Sequence, residues 1–189
     1  METWREVANN PVSGAHRLIT EFGDRLYTAA VRVCGNETDA EDLVFRTFDH
    51  AVRKIDQYDG RAAFFSWLYA IMFNFWRMDC RGKDVELVFA ETLPEPPDSS
   101  MEDVESLLAS VDADTVRKAV RRLSPVLREA VLLRYFEDRS IAEMAEILDV
   151  PQGTVMSRLF NARAVLHGIL AGEGPATRLR QGYGAVKEI

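Results

Sequence analysis

Between residues 84 and 114 the chain carries ten acidic side chains and not one lysine or arginine. A block of like charge that also contains Leu93-Pro-Glu-Pro-Pro-Asp-Ser-Ser repels itself and resists packing, so it reads as an extended, flexible connector and not as part of a core. Everything else divides around it. Residues 1–83 hold 11 basic and 12 acidic side chains, and residues 115–189 hold 12 and 8. The net charge of −7 over 189 residues therefore belongs to the connector and does not exclude nucleic acid as a partner of the flanking bodies. With 47% apolar and 28% charged residues, the chain has the composition of a soluble globular protein. Its apolar stretches are interrupted and too short to span a bilayer, and Met1-Glu-Thr-Trp-Arg-Glu lacks the basic start and apolar core of a signal peptide. A cytoplasmic location with no stable membrane insertion is expected.

Both flanks read as helical, and no segment alternates as a strand. Leu18, Phe22, Leu26 and Ala30 recur along one helical face, broadened by Ile19, Tyr27 and Val31. Gly35-Asn36-Glu37 breaks that helix, and Thr38-x-x-Glu41 has the form of a capping box opening a second. The second helix is expected to bury Val44, Phe48, Ala51 or Val52, and Ile55. After a turn around Gln57-Tyr-Asp-Gly-Arg61, a third helix carries Phe64, Leu68, Ile71, Met72 and Phe75 on its buried side. The fold class is thus all-α: a helical domain over 1–83, the acidic linker over 84–114, a second small domain over 115–170 and a flexible, Gly-rich tail over 171–189. Cys34 and Cys80 form neither a disulfide framework nor a zinc spacing and read as packing residues.

The third helix is unusually aromatic. Tyr58, Phe64, Phe65, Trp67, Tyr69, Phe73, Phe75 and Trp76 fall within nineteen residues, interleaved with Arg61, Asn74, Arg77 and Arg81. Rings stack on any base while guanidinium and amide groups meet edges and backbone, so this composition suits unpaired nucleic acid. Core packing is the competing use of each ring, but a period of 3.6 cannot bury all of them.

In the second body, Ser124-Pro125 places a good N-cap before a helix through Leu127, Val131 and Tyr135, ending near Glu137-Asp-Arg139. Ser140-x-x-Glu143 is a capping box opening a short helix through Leu148, and the Asp149-Val-Pro151 turn leads into a longer helix from Gln152. Two helices joined so tightly form a helix-turn-helix. On the last helix Val155, Leu159, Ala162 and Leu166 share one face. Gly153, Ser157, Phe160, Asn161 and Ala164 share the other, flanked by Thr154 and Met156. Such short side chains suit entry into a major groove roughly 12 Å wide. Arg158 and Arg163 stand toward the flanks, suited to phosphates.

Residues Arg121 to Arg163, with the core Gly153-Thr-Val-Met-Ser-Arg-Leu-Phe-Asn-Ala-Arg163, resemble region 4 of the extracytoplasmic-function (ECF) group of bacterial RNA polymerase sigma factors. Asn36 to Phe48, with Asp39-Ala-Glu-Asp-Leu-Val44, and Phe65 to Asn74 resemble region 2 of the same sigma-70 family. The resemblance implies a subunit that joins core RNA polymerase through the beta-prime clamp and the beta subunit, recognises promoter DNA, helps open it, and is commonly restrained by an anti-sigma factor. By the same resemblance, Asp39, Glu41, Asp42, Phe45, Arg46 and Asp49 would meet the polymerase. Tyr58, Arg61, Phe64, Phe65, Trp67, Asn74, Arg77 and Arg81 would take the −10 element. Gln152, Gly153, Thr154, Met156, Ser157, Arg158, Asn161 and Arg163 would read the −35 element.

The sequence departs from the family pattern at Phe45, where glutamine is usual, and at Met156 and Asn161, where basic residues are common. Met72-Phe73 is bulkier than the usual pair. No cofactor or metal is expected. His16, His50 and His167 are scattered, no His-x-Glu or Cys-x-x-Cys occurs, and adjacent acids such as Glu41-Asp42 or Glu102-Asp103 point to different helix faces, which argues against an enzyme. A dimeric helix-turn-helix regulator acting without polymerase is the rival reading, and it would not need the region 2 segment. With only +4 on residues 115–189, independent tight binding to DNA is not expected; two weak modules on one large enzyme gain effective concentration instead.

Overall fold

A computed structural model describes residues 3–81 and 112–170. Most of the acidic connector and the tail from 171, with the expectations placed on them, lie outside the described residues. Regular structure among the described residues is helical: α1 (Thr3–Asn9), α2 (Pro11–Cys34), α3 (Glu37–Arg53), a 3-10 turn (Ile55–Gln57), α4 (Phe64–Cys80), α5 (Ala113–Arg121), α6 (Pro125–Val131), a π turn (Leu132–Phe136), α7 (Ile141–Leu148) and α8 (Gln152–Leu170). By their contacts these residues form two compact units. One joins α1 to α4 with Leu132–Gln152, and the other joins α5 and α6 with the helix from Gly153 onward.

In the first unit, the ends of the long helices follow from local chemistry. Asn10 caps α2 by accepting from the Ser13 N–H at 3.3 Å, with Pro11 in the first turn, where its missing N–H costs nothing. The helix stops at Gly35, whose φ of 82° lets its N–H return to the Val31 carbonyl. That stop leaves Asn36 extended, and its Oδ1 accepts from the Asp39 N–H at 2.8 Å. The cap of α3 is therefore Asn36, two residues before the expected Thr38–Glu41 box. Amide side chains cap at least as well as hydroxyls, and the left-handed Gly35 fixes the entry point.

Helix α1 goes beyond what the sequence pattern indicates. Seven residues are too few to hold a helix alone, so α1 depends on docking. It packs on α2 across Gly14, where an added Cβ would lie 2.3 Å from the Val7 Cα. Val7 is fully buried there, and Glu6 pairs with Arg17. That contact and the Ser13 hydroxyl hold the Glu6 carboxyl below its usual range.

The core of this unit is built from Leu18, Leu26, Ala30 and Val33 of α2, Ala40, Leu43, Thr47 and Ala51 of α3, and Leu68, Met72 and Phe73 of α4. Phe48 and Ala51 of α3 are buried as expected, but the rest of the stripe is turned from the expected line, with Val44, Val52 and Ile55 only half-buried. Thr47 goes inside because its hydroxyl is satisfied by the Leu43 carbonyl at 2.7 Å, and Val44 turns outward. On α4, Leu68, Ile71 and Met72 are buried as expected, but so are Phe65, Ser66, Tyr69 and Trp76, while Phe64 and Phe75 are half-exposed. The physical reason is that α4 packs against α2, α3 and α7, so a single stripe does not describe it.

Asp112 caps α5 through the Asp114 and Thr115 N–H groups, both at 3.0 Å, and the Thr115 hydroxyl together with these N–H groups lowers its pKa. At the start of α6 the Ser124 backbone carbonyl accepts from Leu127 and Arg128, but its Oγ is buried without a hydrogen bond, so the expected side-chain cap is not made. The helix expected through Tyr135 widens into the π turn at Leu132. Glu137 N–H returns to the Leu132 carbonyl at 3.1 Å, and Asp138 takes φ 50°. The Ser140–Glu143 box at the start of α7 is complete, with Glu143 N–H to Ser140 Oγ at 3.2 Å and Ser140 N–H to Glu143 Oε2 at 2.9 Å. Asp149, left-handed at φ 53°, ends α7 and the chain enters α8 at Gln152.

Candidate polymerase and nucleic-acid interfaces

Three surfaces collect the residues singled out in the sequence. The first is the outer side of α3. Asp39, Glu41, Asp42, Phe45 and Asp49 are all exposed, with Phe45 at 72%. Arg46 is tied to Asp42 at 2.8 Å and to Asp79 of α4, an arrangement that raises its pKa and locks its direction. Between α2 and α3 runs a groove of about 550 Å³. Ile19, Tyr27, Val44, Phe45 and Phe48 give it an apolar floor, and Asp24, Glu41 and Asp49 an acidic rim. Burial and the Glu37 and Glu41 carboxylates push the Tyr27 phenol up. The α2 wall of this groove was not anticipated. Ile19 and Tyr27, read as broadening the core stripe, were the available signal.

The second surface is the loop before α4. Its Tyr58 hydroxyl donates to the Ala62 carbonyl at 2.6 Å, and the Arg61 N–H donates to Asp59 Oδ1 at 3.0 Å. Gly60 sits at φ 76°, where other residues are strained. This brace holds Asp59, Gly60 and Arg61 exposed above a ring cluster: Tyr58 and Phe64 are 5.0 Å apart, Tyr58 and Trp67 5.5 Å, and Phe64 and Trp67 5.5 Å, all half-exposed. Trp4 of α1 adds its ring at 5.6 Å from Tyr58. Phe65 does not belong to this surface. It is 6% exposed, stacked on Phe22 at 5.5 Å with the Arg25 guanidinium over it at 4.1 Å, so the expectation that it contacts bases is corrected for this arrangement. Asn74 and Arg81 are exposed further along, and Arg77 donates to Asn74 Oδ1 at 2.6 Å.

The third surface is the start of α8. Gln152, Gly153 and Met156 are exposed, Thr154, Ser157 and Phe160 half-buried, and Ala164 exposed. Asn161, expected on this outer face, is 6% exposed, and its Oδ1 has no hydrogen bond. With Gly168, also buried, it defines a second covered side of the helix beyond the Val155–Leu166 stripe. Arg158 is half-buried with Nη1 withdrawn from solvent, whereas Arg163 lies half-buried on the accessible side. The accessible face is thus narrower and less polar than expected. Among the described residues no cluster of three or more His, Cys, Asp or Glu is placed to hold a metal, and no helix is long and apolar enough to cross a membrane.

Comparison with known proteins identifies the family. Sigma-70 region 2 matches residues 18–85, and Sigma-70, region 4, matches residues 113–166. The ECF RNA polymerase sigma-E factor of Escherichia coli (strain K12) is 32% identical over 137 residues, 68% of this chain and 72% of the relative. The chain belongs to the ECF group of RNA polymerase sigma factors. The ECF RNA polymerase sigma factor SigW of Bacillus subtilis (strain 168) is 28% identical over 158 residues, covering 79% of this sigma factor and 84% of its own length. Among solved structures, the sigma factor RpoE in complex with the anti-sigma factor NepR from Bartonella quintana superposes with a TM-score of 0.58 at 27% identity, covering 83% of this chain and 96% of that one. A regulator relying on a helix-turn-helix alone would have no need for the region 2 bundle.

An alanine at Gly153 tests folding and the expected DNA contact separately. A Cβ there would meet no atom within 4 Å, so packing does not require glycine, and glycine costs a helix roughly 0.5–1 kcal/mol relative to alanine. Gly153→Ala is expected to leave the melting temperature unchanged or slightly raised while weakening promoter binding by the holoenzyme, because the methyl projects from the exposed face. Unchanged protection of the −35 region in a footprint would remove Gly153 from that surface.

Proposed function

We propose that this sigma factor docks on the beta-prime clamp of core RNA polymerase through Asp39, Glu41, Asp42, Phe45 and Asp49, with Arg46 braced behind them. The beta subunit completes the contact. The loop from Tyr58 to Ala63, with Phe64 and Trp67 beneath it, takes an unpaired base of the −10 element, and Asn74, Arg77 and Arg81 follow the melted strand. Gln152, Gly153, Thr154, Met156 and Ser157 enter the major groove of the −35 element, with Arg158 and Arg163 toward the phosphates. The protein acts in the cytoplasm as a non-enzymatic initiation factor. An anti-sigma factor restrains it, in the manner of the Bartonella quintana RpoE–NepR pair.

The observation that carries this reading is the braced loop: an exposed arginine and glycine held over half-exposed rings is a stacking platform of sequence-tolerant chemistry with a polar reader at its edge. Run-off transcription with core polymerase on a genomic fragment library tests it. Specific transcripts are expected only when the chain is added. Loss of one stacked base is worth about 1–3 kcal/mol, so Trp67→Ala should lower open-complex formation roughly 5- to 150-fold. Ser157→Ala should alter −35 preference with little effect on melting. Core polymerase that stays silent with chain freed of any inhibitor would overturn the proposal.

A further inference from the structure

Glu137 lies in the turn between the π segment and α7, three residues before the Ser140 cap, yet its side chain is only 8% exposed. Two guanidiniums of α2 close on it. Arg25 donates from Nε and Nη2 to Oε2 at 3.3 and 3.2 Å, and Arg32 donates from Nη1 to Oε1 at 3.3 Å. Arg25 and Arg32 are seven residues apart, two turns along one face. Each is oriented by a ring, Arg25 over Phe65 at 4.1 Å and Arg32 over Phe136 at 4.9 Å. The fully buried Tyr69 hydroxyl stands beside the same carboxylate without closing a normal hydrogen bond. Burial first, and then this carboxylate, push its ionisation up.

Neither flanking element needs this cluster to be a helix, because α2 has its own caps and α7 its own box. The cluster instead joins residues more than a hundred positions apart and ties the turn before α7 to α2, while α7 itself packs on α4. Two arginines converging on one oxyanion is also how proteins hold a phosphate, whose charge and oxygen geometry a carboxylate approximates.

We propose that Glu137 is an intramolecular plug: it fills an anion site made by Arg25 and Arg32 that a backbone phosphate of single-stranded promoter DNA occupies once the Leu132–Gln152 segment leaves α4. This deepens the reading of α4 and its loop as the −10 surface and rests on it for the identity of the strand. The plug is built to open. Arg25 is 49% and Arg32 34% exposed, so water and salt screen the pair, and the cost of desolvating Glu137 offsets part of the attraction. While plugged, both guanidiniums are engaged by Glu137.

The test uses the full chain, a fluorescein-labelled single-stranded oligonucleotide read by anisotropy, and hydrogen exchange over Ile141–Leu148. Glu137→Gln keeps the shape and removes the charge. If the open form is about a tenth of the population, affinity rises about tenfold. Exchange in α7 speeds up, and adding the oligonucleotide to the native chain speeds it too. Arg32→Ala should speed the same exchange but weaken DNA binding, an opposition that loss of a purely structural pair would not produce. Arg25→Ala with Arg32→Ala in the Glu137→Gln background should cancel the gain. Unchanged affinity in Glu137→Gln, or a gain surviving the loss of both arginines, overturns the plug. If Trp67→Ala leaves oligonucleotide binding intact while Glu137→Gln still tightens it through the arginines, the −10 reading fails and the plug stands.

Discussion

Replacing Leu68 with alanine is expected to destabilise the N-terminal bundle by about 3–5 kcal/mol, the range for a leucine deleted from a site that cannot collapse. Leu68 is fully buried in the second turn of α4, followed along the helix by the fully buried Tyr69 and Met72. Helices α2 and α3 pack on α4 and on each other, so neither can close the gap without disturbing the other. Small domains have about 5–15 kcal/mol in total, so this one change removes a large fraction. Urea unfolding followed by circular dichroism checks it: the midpoint should fall with an unchanged slope. A loss below about 1 kcal/mol would mean that the site relaxes and that α4 is not the keystone of the bundle. Function should follow stability, because Trp67 and Phe64 stand on the same helix and lose their platform with it.

What the sequence disclosed was whatever is decided within a few residues. The Ser140–Glu143 box, the stop at Gly35, the turn at Asp149 and the start of α8 at Gln152 are each set by neighbours in the chain, and each is found as expected. The family motifs are equally local, and so the three candidate surfaces were legible. What was not legible depends on residues brought together from afar. Docking of α1 turns on the missing side chain of Gly14 against Val7. Thr47 goes inside because one carbonyl satisfies it, and Phe65 because Phe22 and Arg25 cover it. Asn161 shows the same limit, since periodicity assigns a residue to a face but does not say how many faces a helix has covered. Glu137 is the extreme case. In the sequence it is one acid in a turn, and its significance arises only from Arg25 and Arg32.

Phe45→Ala is expected to reduce capture of the chain by core RNA polymerase roughly thirtyfold, about 2 kcal/mol, the scale of an aromatic anchor at an interface centre. The ring is 72% exposed at the lip of the α2–α3 groove, where it contributes little to the fold. A large exposed aromatic at the lip of an apolar groove and surrounded by Glu41, Asp42 and Asp49 is the pattern of an apolar anchor with a polar rim. Alanine is also the better helix former, so α3 should be no less stable. The thermal midpoint is accordingly expected to hold or rise slightly while binding falls, a separation that a folding defect cannot mimic. Competition against labelled chain for a fixed amount of core polymerase measures the first quantity, and calorimetry the second. Phe45→Gln, which restores the residue usual in the family, adds a finer reading. If the polymerase surface meets this position with polar groups, glutamine should recover much of the lost affinity. If glutamine binds as poorly as alanine, the contact in this chain is apolar and the groove beneath Phe45 is part of it. Equal capture of all three chains would move the polymerase contact off this face of α3.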